Sequence, residues 1–467
     1  MRPRAHRMNR REFVKIAGAA TTAMSTLSFS IARATPAKKR PKHILLIITD
    51  QQHLDTIQAN GCPYVYTPAM DKLAESGVAF QNSYCTNPVC SPARSSIFTG
   101  RTTCETGVYR NGRAIRDDIP NLGQWLSEKA GYESVYAGKW HIPATYTQFI
   151  PGFKVINTGI SGLGYYGDIA VSRACEGYIR NHDPEQPFFM VASFMQPHDI
   201  CEWLRLNTEN PVDLRYEAIR DELPPLPLNF GYDEHEPQAI RERRERTDPA
   251  IGKWDNDQWR YYRWSYFRHI DFVDAEIGRV LQALEDFGYL NDTLVVFTSD
   301  HGEGMAHHHM VRKHSPYDEA SRVPLIFSWP GEIPENVTDN RHLVSGLDIM
   351  PTICDYVGIS APAGIKGQSL RKMMSEQVDR EQPFTVTELV DNTQRMVRSQ
   401  RYKYIHCKDD PMEMLFDMQE DPGETENLAV NSAYASQLSE HRRLLRQWER
   451  RLDPSKDVPH VDYWRNI

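Results

Sequence analysis

A chain of 467 residues, 40% hydrophobic and 25% charged, can bury a deep active site in one large α/β domain with an appendage, and its composition excludes wholesale disorder. Its formal net charge of -8 gives no general electrostatic reason to bind nucleic acid or an anionic membrane. A polyanionic substrate therefore requires a local basic pocket.

The first forty or so residues differ in texture from the rest. Asn9-Arg10-Arg11-Glu12-Phe13-Val14-Lys15 precedes a weakly apolar run rich in Ala, Gly and Thr, which closes on Ala32-Arg33-Ala34. This is a signal-peptide layout, and the paired arginines with Lys15 ahead of the apolar run resemble a twin-arginine signal cleaved after Ala34. Residues 1–34 are expected to direct export by a twin-arginine translocase, giving a periplasmic or secreted protein of the bacterial type. The apolar stretch is short for a membrane anchor, no cysteine precedes Cys62, and no later stretch of the mature chain has the length and hydropathy of a membrane span. The eight cysteines include no Cys-x-x-Cys pair, so buried thiols are expected rather than a zinc or redox motif.

Further along, His43 to Thr49 is a nearly continuous apolar run, as expected of a strand buried on both faces, and it delivers Asp50 at its carboxyl end. Asn121 to Ala130 reads as a helix. Pro187 to Met195 is a second buried strand, leading to Pro197-His198. The Pro-rich segment 222–227 and the charged run Arg241 to Arg246 read as an excursion between core elements, followed by a long helix from Asp257 to Phe287. Thr293 to Ser299 is a third buried strand and delivers Asp300 and His301. Strands alternating with helices predict a large, mostly parallel sheet flanked by helices, with ligands at the strand carboxyl ends. From about residue 371 the pattern changes to short strands, Phe384 to Leu389, Arg395 to Ser399, Arg401 to His406 and Met414 to Met418, and a helix from Ser432 to Arg451. The expected organisation is a catalytic domain over 41–370 and a C-terminal subdomain over 371–467, made of an antiparallel sheet and one helix.

Ser91-Pro92 reads as a helix start, with Ser91 at the N-cap and Pro92 at the first helical position. Cys90 then sits beside a helix N-terminus, where free amide groups favour an anion, and Arg94 adds a full charge one turn on. A capped helix preceded by a buried thiol would give the same local pattern. The longer string Cys90-Ser91-Pro92-Ala93-Arg94-Ser95-Ser96-Ile97-Phe98-Thr99-Gly100-Arg101 resembles the signature of the type I sulfatases of the alkaline phosphatase superfamily. In that family the cysteine is oxidised to formylglycine by a maturation enzyme. The likeness extends through Ile47-Ile48-Thr49-Asp50-Gln51, Gly138-Lys139-Trp140-His141, Gln196-Pro197-His198, Ser299-Asp300-His301-Gly302, Lys313 with Tyr317 and Glu319, and the tail from Leu415-Phe416-Asp417 to Asn427-Leu428. Each string is weak alone; their shared order is specific.

The resemblance implies an alkaline phosphatase-like fold and hydrolysis of a sulfate ester on a sulfated oligosaccharide or polysaccharide. It implies one divalent ion held by Asp50, Gln51, Asp300 and His301 with the modified Cys90, and a nucleophile furnished by the hydrated aldehyde at position 90. Arg94 and Lys139 match the residues that hold the nucleophile and its charge, His141 the base, and His198 with Lys313 the pair that contacts sulfate and assists the leaving oxygen. Two positions depart from the common family pattern, Gln51 for an aspartate and His301 for an asparagine. Calcium is the expected ion, with magnesium and manganese compatible, because imidazole is more usual on transition metals. The same Asp-Gln and Asp-His set resembles the phosphonate monoester and phosphodiester hydrolases, the alternative reaction. A catalytically silent sulfoglycan-binding protein is disfavoured because every matched catalytic position is filled. His307-His308-His309 cannot all converge on one ion and is expected to be a substrate-facing or solvated loop. Trp203, Arg241 to Arg246 and Trp254 suit either a sugar pocket or packing.

Overall fold

A computed structural model describes residues 39–159, 163–209, 217–247, 251–376, 378–389, 391–455 and 457–458; the expected signal segment, residues 1–34, lies outside them. In chain order the strands are β1 (His43–Asp50), β2 (Gly77–Phe80), β3 (Ser83–Tyr84), β4 (Glu133–Gly138), β5 (Lys154–Asn157), β6 (Phe188–Pro197), β7 (Thr293–Ser299), β8 (Leu325–Ser328), β9 (Val337–Asp339), β10 (Val344–Ser345), β11 (Phe384–Leu389), β12 (Gln394–Ser399), β13 (Tyr402–Cys407) and β14 (Met414–Asp417). The expected α/β class is the observed one. An eight-stranded sheet runs β5-β4-β6-β1-β7-β8-β2-β9, and all its pairings are parallel except those made by β8.

The continuous apolar run of β1 follows from helices on both sides. Ile44, Leu46 and Ile48 enter the core beneath the helices Cys90–Thr99, Leu122–Ala130 and Ile349–Val357. Leu45 and Ile47 enter the opposite core, beneath the helices Pro68–Glu75, Gly164–Asn181 and Asn256–Asp286. Burying each such side chain is worth about 2 kcal/mol, so neither face of the strand could be left in water without a large loss. The helix boundaries follow from caps. Asn121 accepts from the Gln124 amide and Asp255 from that of Gln258, and each glutamine answers the cap residue's own N–H. The helix expected from residue 257 thus begins at Asn256.

The expected antiparallel sheet is β11-β12-β13-β14. One face, with Val386, Val397, Tyr404 and Leu415, packs on Leu444, Leu445 and Trp448 of the helix Ala435–Glu449. The other, with Leu389, Met396, Ile405 and Phe416, packs against Tyr84, Met310 and Tyr317, so the sheet backs the loop that follows β7. All eight cysteines are free thiols, and only Cys201 is more than slightly exposed. Among the described residues no helix is long and apolar enough to cross a membrane.

Candidate active site

Strands β4, β6, β1 and β7 are parallel neighbours at the middle of the large sheet, so their carboxyl ends open on one edge. That edge receives Asp50 and Gln51 from β1, Asp300 and His301 from β7, Lys139 and His141 from β4, and His198 from β6. The helix carrying Cys90 and Arg94 and the loop carrying Lys313 close the site. Gly138 ends β4 at φ 101°, where a Cβ would lie 1.9 Å from the Ser193 carbonyl oxygen. The close approach of β4 to β6 that delivers Lys139 therefore requires glycine.

One expectation about the helix fails. Cys90 is itself the first helical residue, and the residue before it, Val89, makes no side-chain cap. Ser91 is inside the first turn rather than at the cap; its hydroxyl donates to the His141 carbonyl oxygen and its N–H to Asn111 Oδ1 at 3.0 Å, so both of its donors tie the helix start to other segments.

Cys90 Sγ is fully buried, 3.2 Å from His301 Nε2, 3.0 Å from Lys313 Nζ, 3.8 Å from Lys139 Nζ and 3.7 Å from Asp50 Oδ1. Burial and Asp50 would raise its thiol; Lys139, Lys313 and His301 overcome them and hold it well below the ordinary value. Arg94, also fully buried, donates to Asp300 Oδ2 at 2.8 Å, Asp50 Oδ2 at 3.0 Å, the Lys139 carbonyl at 2.8 Å and Ser193 Oγ at 2.8 Å. Lys139 Nζ adds a 2.7 Å contact to Asp50 Oδ2. Against the cost of its burial, Asp50 is held well below the usual carboxylate range by Lys139, His198, Arg94 and Lys313. His198 is pushed well below its ordinary value by burial and then by Lys139 and Lys313.

Ligand atoms of Asp50, Cys90, Asp300 and His301 lie within 4.8 Å of one another. Gln51 Oε1 faces the same centre, 2.9 Å from Lys313 Nζ. Gln51 has φ 72° and His141 φ 64°, conformations that cost about 1 kcal/mol or more in a residue with a Cβ. At Gln51 the strain is held by its N–H on Asp300 Oδ1 at 3.1 Å and by the Tyr266 hydroxyl on its carbonyl at 2.6 Å. His141 keeps Nδ1 buried and without a hydrogen-bond partner. All the expected site residues therefore meet at one edge.

Of the three adjacent histidines His308 is buried while His307 and His309 are partly exposed, and each takes a different protein partner rather than converging on one point. His307 pairs with Glu319 at 2.9 Å, buried His308 stacks on Tyr317 with ring centroids 3.8 Å apart, and His309 packs on Phe230 at 3.9 Å. They fold the loop that carries Lys313. Arg243 and Arg244 hold that loop from outside, on the Lys313 and His308 carbonyls at 2.8 Å each, so the charged run, a helix over Gln238–Thr247, serves as a buttress. Trp203 and Trp254 pack edge to face, 5.9 Å apart. Ser193, Tyr262, Tyr266 and Glu303 also support the site, and no local motif marks them.

A family model described as sulfatase matches residues 42–359, and one described as N-sulphoglucosamine sulphohydrolase, C-terminal, matches residues 306–451. The chain is 33% identical to a Delta 4,5-hexuronate-2-O-sulfatase of Bacteroides thetaiotaomicron over 444 residues, 88% of this chain and 89% of the relative. A solved 2-O GAG sulfatase superposes with a TM-score of 0.81 at 30% identity, covering 92% of this chain and 94% of that one. A solved phosphonate monoester hydrolase of Agrobacterium radiobacter gives 0.72 at 22% identity, covering 89% and 96%, a likeness of fold.

Proposed function

Because this chain belongs to the sulfatase family and is a sulfuric ester hydrolase, we propose that it removes sulfate from a sulfated carbohydrate with a formylglycine made from Cys90. The single observation that carries the reading is the surroundings of Cys90 Sγ. It is a buried atom with Lys313, Lys139, His301 and Asp50 all within 3.8 Å. The similarity to a hexuronate-2-O-sulfatase and to a 2-O GAG sulfatase supports a sulfated oligosaccharide or polysaccharide as substrate.

Asp50, Gln51, Asp300 and His301, with residue 90, would hold one divalent ion. Two carboxylates and an amide oxygen suit a hard cation, so calcium is proposed, with magnesium and manganese compatible with the imidazole. Such an ion supplies Lewis-acid polarisation of oxygen. A formylglycine at residue 90, once hydrated, would offer one hydroxyl to attack sulfur as the bond from sulfur to the alcohol oxygen breaks, and a second whose deprotonation would let the sulfate leave.

The chain's own groups divide the remaining work. Arg94 spends its guanidinium on Asp50 and Asp300 and keeps both as acceptors aimed at the centre. Lys139 places a positive charge beside residue 90. Lys313, whose ammonium form is favoured by Cys90 and Asp50 against the effect of burial, enters the reaction protonated and donates to a sulfate oxygen. With His198 it supplies the hydrogen bonds and the proton that the departing alcohol oxygen needs. The unpartnered His141 nitrogen is the base that takes the proton from residue 90.

Residues 41–370 are proposed as the catalytic domain and 371–467 as its C-terminal subdomain. The twin-arginine segment supports export by that translocase to the periplasm or beyond, and a formylglycine-generating enzyme is the implied maturation partner. Peptide mass spectrometry of protein from a host with that enzyme should find an aldehyde at residue 90, and Cys90→Ala should lower sulfate release by at least about a thousandfold. An active preparation holding only the thiol, or activity surviving the substitution, sinks the mechanism. The Asp-Gln and Asp-His donor set favours one second reading, phosphonate monoester or phosphodiester hydrolysis. Comparing turnover of an aryl sulfate and an aryl phosphodiester ranks the two.

A further inference from the structure

An amide ligand has a difficulty that a carboxylate lacks. Its two ends have nearly the same shape, and only the oxygen can face a cation; the NH2 end is a donor with nothing to offer. Where an aspartate would serve in either orientation, Gln51 must be told which way to point. The geometry points to Glu303 as the positioning residue that gives this instruction.

Glu303 is fully buried, 0% exposed, one residue beyond the Asp300-His301-Gly302 turn. One of its oxygens, Oε1, accepts from the Tyr262 hydroxyl and from the Arg312 backbone N–H. The other, Oε2, accepts from Gln51 Nε2. Cys201 Sγ lies 3.3 Å from the same nitrogen and 3.7 Å from Gln51 Oε1, within reach of both ends of the amide, so the choice of orientation falls to Glu303 and to the group facing Oε1. On the inner side, Gln51 Oε1 accepts from Lys313 Nζ at 2.9 Å. A carboxylate can only accept and an ammonium can only donate, so one orientation satisfies both neighbours and the reverse satisfies neither.

The inference rests on the proposed role of Gln51 as a metal ligand, and the two can fail separately. Glu303→Gln keeps the shape but reverses the instruction. The new carboxamide must spend its oxygen on Tyr262 and Arg312, which are both donors, and so turns its NH2 toward residue 51. Gln51 can answer only with its own oxygen, which turns its NH2 inward. In Gln51→Glu/Glu303→Gln the carboxylate and the carboxamide exchange places, the hydrogen bond is kept with its direction reversed, and an oxygen faces the centre again.

The test is calcium binding to the chelator-stripped full-length protein, read as a dissociation constant by chelator competition and as the calcium-induced rise in melting temperature. Gln51→Ala should bind calcium more weakly. Glu303→Gln should weaken binding about 10- to 100-fold, and the exchange variant should return to within about threefold of the wild type. A role for Glu303 confined to holding Tyr262 and the Arg312 loop is kept in Glu303→Gln, whose oxygen retains both donors, and predicts an unchanged constant there. That result with Gln51→Ala weakened, or an exchange variant as weak as Glu303→Gln, overturns the inference alone. An unchanged constant in Gln51→Ala removes the ligand reading and the inference with it. If Glu303→Gln does not fold, Tyr262→Phe keeps the Glu303 side chain and removes one of the donors that fix it. A loss of about threefold or more supports the inference there, and no loss overturns it.

Discussion

Lys403, on β13 of the C-terminal sheet, has a fully buried side chain whose Nζ lies 2.9 Å from Asp318 Oδ1 and 2.7 Å from Glu424 Oε1. Glu424 in turn accepts the Asp318 backbone N–H at 2.7 Å. This knot ties the small sheet to the helical turn Asp318–Ser321, five residues past Lys313. Lys403→Met leaves Arg322 on Asp318 at 3.2 Å but strips Glu424 of its cation, a change worth about 3–5 kcal/mol for a buried pair. A unit of about 430 residues unfolds with an entropy near 0.9 kcal/mol/K, so the melting temperature should fall by about 3–6 °C at about pH 8.5, where Glu424 is ionised. The pH dependence has a definite sign. Glu424 is pushed up to about 8 from an ordinary 4.5, by burial and then by Asp318 and Glu319, against the pull of Lys403. Between those values the folded chain holds a proton that the unfolded chain has released, so this group's contribution to stability falls as pH rises from 4.5 to 8. At about pH 5.5 Glu424 is already neutral and the variant loses only the pair with Asp318; at about pH 8.5 it loses both. Calorimetry should find a deficit that grows with pH, and Lys403→Met/Glu424→Gln should regain much of it. A fall under about 1 °C, or an equal deficit at both pH values, refutes the reasoning.

His198 is held low by burial, Lys139 and Lys313, so its imidazole is neutral in the free protein at about pH 6. Removing a nearby positive charge favours the imidazolium, so Lys313→Met should move its titration upward toward the ordinary value. Histidine ring NMR signals followed between about pH 4 and pH 8, with His198→Asn for assignment, would measure this, and an unmoved titration contradicts the electrostatic account. Gly138→Ala places a Cβ 1.9 Å from the Ser193 carbonyl in a φ 101° conformation, forcing β4 and β6 apart where Arg94 grips both. The expected cost is about 3 kcal/mol or more, read by chemical denaturation. A variant of wild-type stability would show that the strand ends can shift.

The parts of the site legible in the sequence are those at strand ends. Asp50 and Asp300 terminate unbroken apolar runs, and a run of that kind has one structural solution, a strand covered on both faces. The ordered strings around Cys90, Lys139 and His198 supply the rest. What the sequence hides is what depends on partners far along the chain. Glu303 and Gln51 are separated by 252 positions, and nothing local to either says that one orients the other. Ser91 likewise takes its hydroxyl partner, the His141 carbonyl, from 50 positions on. The histidines at 307–309 look like a metal or solvent motif because composition is local, while the rings that receive them, Tyr317 and Phe230, come from different segments.

A chain of net charge -8 that binds an anionic ester must separate the cations that build the site from those that greet the substrate. Arg94 is fully buried, and its four hydrogen bonds go to two carboxylates, a carbonyl and a hydroxyl. A guanidinium so engaged has four of its five N–H donors committed within the protein. Lys139 is 3% exposed and anchored on Asp50. His198, Lys313 and His141 keep partial exposure, and Lys313 Nζ lies 3.0 Å from Cys90 Sγ. Lys313 is moreover carried on the loop that Arg243, Arg244 and the stacked His308 hold from behind. Discrimination between sulfate esters therefore has to be sought on the loops that bring His198 and Lys313 over residue 90, since the buried groups answer only to one another and to the ion they would share.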